Sequence, residues 1–223
     1  MKEKIGVLNY FADIPHCNLQ KELLLSIYKF YKSKIMPATE NIYNDINHHE
    51  DVDINAIIIC GMGISEYRSF MQYLETCIHF QTLVQIWEQQ VVSTIFHSLG
   101  RTRRIIITKK NKKAKIDMID YEDFKDVLRH LDVNIENWDT WEKISEIRKI
   151  VNVIKHSMGR ALNFVKENNP DAVSFDENTK FDSVTFSHSS LLDFNINIHE
   201  KLDEYVGYLV NFWDEVVCRV IER

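Results

Sequence analysis

Arg148, Asn152 and His156 stand four residues apart, with Lys155 and Arg160 close by. An α-helix turns about 100° per residue, so each four-residue step advances ~40° and the three side chains form one slanting row. Histidine titrates near neutrality and can give or take a proton there. Arginine and lysine hold phosphate oxygens and neutralise charge building on them. Asparagine can orient the imidazole or a substrate. Together these groups suit metal-independent RNA cleavage, in which a 2′-hydroxyl attacks the adjoining phosphate. The same residue types also make an ordinary polar border on an amphipathic helix, where Asn and His satisfy nearby backbone.

The row requires a helix to carry it. Over residues 138–158, Trp141, Ile144, Ile147, Val151, Ile154 and Met158 recur at steps of three and four, which predicts an amphipathic helix with the polar row beside its apolar stripe. Asp139 or Asn137 is the expected cap, and Glu142 sits near the first turn. Gly159 breaks or bends the helix, and residues 160–168 form a second, shorter one ending before Pro170.

Other elements frame this one. Residues 18–36 have helical spacing, with Asn18 as the expected N-cap and Pro37 as the stop; residues 38–52 read as a polar loop. An apolar run follows at 54–64. Residues 66–99 read as one long helix or two consecutive ones, with Phe80, Leu83, Val84, Trp87, Val91, Ile95 and Leu99 in a stripe. The β-branched Ile105, Ile106, Ile107 and Thr108 suggest a short strand. A short helix is expected at 121–131, a turn at 132–137 and a short strand at 183–187. A last helix is expected at 198–222, with Leu202, Tyr205, Leu209, Phe212, Trp213 and Val216 on a wide apolar face. Only six Gly and three Pro punctuate the chain, too few for the tight turns of an all-β protein. The expected fold is mostly α, a helical bundle over residues 65–223 preceded by an irregular or α/β N-terminal segment, 1–64.

The net charge of −6 does not attract nucleic acid globally, but residues 101–115 hold eight basic residues and no acidic one. Arg101, Arg103, Arg104, Lys109 and Lys110 are therefore candidates to guide RNA. Residues 116–147 hold ten acidic and three basic residues, so the two stretches can instead pair within the chain. The four cysteines, at 17, 60, 77 and 218, show no C-x-x-C spacing, which argues against a zinc or redox motif and for reduced thiols. The first fifteen residues lack the apolar core of a signal peptide, and the run at 54–64 is too short to span a bilayer. A cytoplasmic protein with no metal, no cofactor and no membrane contact is expected. Gly61-Met62-Gly63 lacks the third glycine of a nucleotide loop, His48 and His49 read as part of a polar surface loop, and no hydrolase or metalloprotease motif occurs.

Residues 146–171 read EIRKIVNVIKHSMGRALNFVKENNPD: an Arg, then N-x-x-K-H, a Gly, and a short helix leading to Pro-Asp. With LVQIWEQQ upstream and FWDEV near the end, the chain over roughly residues 80–220 resembles the HEPN superfamily, a helical-bundle group found in bacterial toxins and antiphage systems. The resemblance implies an endoribonuclease with His156 as general acid or base, Arg148 on the scissile phosphate, Asn152 orienting, and Lys155 and Arg160 assisting. It further implies RNA as substrate, a homodimer with a composite site, and a partner protein from the same defence or toxin system. Seven residues separate Arg148 from His156, wider than the family's usual spacing, and Lys149 follows Arg148. Several members of the group are non-catalytic dimerisation or interaction modules, and that is the second reading.

Overall fold

The computed structural model describes residues 14–44, 64–100, 107–109, 112–114, 134–156, 163, 167–168, 173–174, 195–196 and 198–221. The chain is mostly α-helical and forms a helical bundle. Helix α1 (Ile14–Phe30) passes through a π-helical turn, Tyr31–Ile35, into α2 (Met36–Asn44); α3 is Ile64–Gly100, α4 is Asp139–His156, and α5 (Ile198–Val216) ends in a π-helical turn, Val217–Ile221. Two short antiparallel pairs accompany them: β1 (Ile107–Lys109) with β2 (Lys112–Ala114), and β3 (Val173–Ser174) with β4 (Asn195–Ile196). The expected elements at 121–131 and 183–187 lie outside the described residues.

Two compact units divide the chain. One draws on Met1–Leu25, Val84–Arg148 and Asp203–Arg223, the other on Ser26–Leu83 and Lys149–Leu202. The first has an aromatic core. Trp87, Phe212 and Trp213 are almost fully buried. Phe212 meets Trp87 edge-on at 5.0 Å and Trp213 edge-on at 5.4 Å, and Trp138 leans on it at 5.6 Å. Such offset and edge contacts suit the ring quadrupoles better than a face-to-face sandwich. Ile144 and Ile147 of α4 are fully buried in this unit, as the stripe read from their spacing requires. In the second unit Tyr31, Cys77, Phe80, Leu83, Ile150 and Val153 are buried.

The start of the chain departs from its sequence reading in two places. Asn18 does not cap α1; the helix begins at Ile14, and Asn18 is an exposed position inside it. Pro15 at the second helical position fits that earlier start, because the N–H it lacks would have had no partner in the first turn. Pro37 does not end the helical run either, and residues 38–44 are helical rather than a loop. The amide of Met36 bonds to the carbonyl of Tyr31, five residues back, so the turn before Pro37 is widened. A proline inside a regular α-helix clashes with the carbonyl four residues earlier; here it sits in the first turn after a wide one.

Candidate functional site

Arg148, Asn152, Lys155 and His156 all lie within α4, so the predicted helix carries the predicted row. Asn152 and Lys155 are exposed; the side chain of His156 is outside the described residues. Arg148 is engaged. Its Nε donates to Glu88 Oε1 at 2.7 Å, and the two side chains are 23% and 24% exposed. Glu88 comes from α3, where it follows the buried Trp87 and lies at the border of that helix's apolar stripe. A carboxylate on the guanidinium takes up one of the donors a scissile phosphate would need, and it puts negative charge where the phosphate's own charge would come.

The N-terminus of α4 is held from α5. Glu215 accepts from the backbone amides of Asp139 at 2.9 Å and Thr140 at 3.0 Å, and also from the Thr140 hydroxyl. These amides begin a helix and have no partner within it, so a carboxylate there satisfies them and meets the positive end of the helix dipole. Burial pushes the Glu215 carboxyl upward, but the bonds from Thr140 and Asp139 and the charge of Arg219 outweigh it, and the group stays below its ordinary value. Arg219 closes the arrangement, with Nε 2.8 Å from Glu215 and a terminal nitrogen 3.0 Å from Asp139. The expected side-chain cap from Asp139 is thereby corrected: Asp139 gives its amide to Glu215 and its carboxylate to Arg219. Asn137 does not cap α4 either; it ends a single 3-10 turn, Ile135–Asn137.

Within the basic stretch the described residues are the antiparallel pair β1 and β2. Its register sets Lys109 opposite Lys112 and Thr108 opposite Lys113. Arg101, Arg103, Arg104, Lys110 and Arg160 lie outside the described residues.

Sequence reasoning missed a half-buried group in the second unit. His79 of α3 stacks on Tyr31 with ring centroids 3.6 Å apart and planes 10° from parallel. Burial lowers its pKa to about 4. Its Nε2 and the Oε1 of Glu75, one helical turn earlier, are buried without a hydrogen-bond partner among the described residues. The Tyr31 hydroxyl reaches Thr76 at 3.3 Å, and Thr76 bonds back to the carbonyl of Gln72 at 3.0 Å. The four-residue step from Glu75 to His79 was the available signal, and it looks like any polar pair on a helix surface. Among the described residues no three His, Cys, Asp or Glu side chains gather as metal ligands, and no helix is long and apolar enough to cross a membrane. Comparison with protein-family models, with curated proteins and with solved structures finds no match for this chain.

Proposed function

We propose that this chain is a HEPN-like, non-catalytic protein-interaction module of a bacterial defence or toxin-type system, working in the cytoplasm beside a partner protein. One observation carries the reading: Arg148, which the resemblance assigns to a scissile phosphate, is committed to Glu88. An RNA phosphate at this position would have to displace a carboxylate already bonded at 2.7 Å and would meet its repulsion. In this reading the polar row of α4 is an ordinary helix border, and Arg148 ties α4 to α3. Incubation of the purified protein with total RNA, beside His156→Ala, tests it. Both proteins are expected to leave the RNA intact. Cleavage by the native chain that disappears in His156→Ala would overturn the proposal.

A second reading, endoribonuclease, draws on a different observation. Eight of the fifteen residues at 101–115 are basic, and exposed Asn152 and Lys155 precede His156 on α4. On that reading His156 works as general acid or base in a homodimer. Arg148 must then exchange Glu88 for phosphate when RNA binds, so Glu88→Gln would raise cleavage rather than leave it unchanged.

A further inference from the structure

We infer that His79 and Tyr31 form a proton-operated latch: a proton taken up by His79 draws its ring from Tyr31 to Glu75 and frees the π-helical turn between α1 and α2. All of these residues belong to one compact unit, and the latch is independent of how Arg148 is read. The two rings stack 3.6 Å apart, with planes 10° from parallel. Tyr31 is 1% exposed. It also begins the π turn, and its carbonyl accepts from the Met36 amide that closes the wide turn. Its hydroxyl is tethered to Thr76 at 3.3 Å, a long hydrogen bond. Wide turns of this kind are rare and recur at functional sites. Here the ring that anchors the turn is the ring that His79 covers.

The imidazole supplies the trigger. In a neutral ring one nitrogen carries a proton and the other accepts. Nε2 is buried without a partner among the described residues, which suits a lone pair better than an N–H. A second proton must then enter at Nε2, where the imidazolium gains a donor with nothing to receive it. Burial opposes that charge and holds the pKa near 4, and no charged side chain among the described residues adds to the shift. Glu75 offers the remedy. It stands four residues earlier, so the two side chains share a face of α3. Its Oε1 is likewise buried without a partner. Two acceptors with no donor between them are mismatched while His79 is neutral and matched once it is charged. A carboxyl oxygen can accept in either charge state. In the stacked position Nε2 makes no bond to Glu75, so forming one turns the ring away from Tyr31. The other titratable groups nearby do not compete. Tyr31 is a phenol, and burial pushes the Cys77 thiol up to about 11, so both stay neutral in acid. Lys32 and Lys34 of the π turn are exposed, with Lys32 over the Tyr28 ring at 5.8 Å.

Nuclear magnetic resonance of the full chain, titrated from neutral to about pH 3.5, tests the latch. Stacking shields the Tyr31 ring protons. That shielding and the Met36 amide signal should both change with the midpoint of the His79 imidazole. The indole signals of Trp87 and Trp213, in the other unit, should hold through that step. Glu75→Ala removes the acceptor and should lower the His79 midpoint by about half a unit or more, roughly threefold in proton affinity. His79→Phe keeps a ring on Tyr31 but cannot take a proton, so Tyr31 should stay shielded throughout. Tyr31 shielding that survives the His79 midpoint would overturn the inference. So would a midpoint indifferent to Glu75→Ala, a His79→Phe chain that loses the shielding at the same pH, or indole signals that collapse in the same step.

Discussion

Glu215 offers the sharpest stability test, because one side chain serves two backbone amides, a hydroxyl and a guanidinium. Its carboxylate is only 13% exposed, and Thr140, its main partner, is 7% exposed. Glu215→Ala leaves the Thr140 amide and hydroxyl without acceptors in a site that water reaches poorly. Loss of a side-chain cap costs about 1 kcal/mol, and hydrogen bonds to a charged group contribute roughly 1.5–3 kcal/mol, so the substitution should cost about 2–3 kcal/mol. Glu215→Gln keeps one oxygen for the amides and loses the charge, and should cost about 1 kcal/mol. Urea unfolding followed by circular dichroism measures both. The pH dependence has a definite sign. Glu215 is held below its unfolded carboxyl value of about 4.3, so its contribution is fully present above that value and fades as pH falls through the lower folded one. The native advantage over Glu215→Ala should be flat at neutral pH and shrink in acid. An Ala variant within 0.5 kcal/mol of native, or a Gln variant as unstable as Ala, would refute the capping account.

Two further outcomes follow from other groups. His79 is held near pKa 4 by burial, against roughly 6.5 when unfolded, so between those values the unfolded chain takes up a proton that the folded chain refuses. Stability should fall as pH drops from about 6.5 toward 4, and His79→Phe, which keeps a ring on Tyr31, should lessen that slope; an unchanged slope in urea titrations would exclude His79 as its source. A double-mutant cycle on Glu88→Ala and Arg148→Ala should give a coupling of about 0.5–1.5 kcal/mol, above an open surface pair because both side chains are half-buried; a coupling under ~0.3 kcal/mol would remove the anchor between α3 and α4.

The bundle was readable where apolar residues recur on one stripe. The buried Ile144, Ile147, Val151 and Ile154 of α4 were all assigned from spacing, as were Phe80, Leu83, Trp87 and Val91 of α3. The ends were less readable, because a helix end depends on which groups satisfy its loose amides and carbonyls. Asp139 has the right type for a cap of α4, yet the capping carboxylate comes from Glu215, seventy-six residues later. Nothing local to Asp139 announces that. Pro37 looked like a stop because the rule for proline assumes regular α geometry before it, and the π turn at Tyr31–Ile35 removes that assumption.

The candidate site failed to read through for the same reason. The row of Arg148, Asn152 and His156 was legible as spacing, but what Arg148 does depends on Glu88, sixty residues earlier. α1 presents the converse problem. Leu23, Leu24, Ile27, Tyr28, Phe30 and Tyr31 cover much of the helix wheel, so periodicity cannot say which side meets the core. The structure buries Leu24, Tyr28 and Tyr31 and leaves Leu23 and Phe30 open.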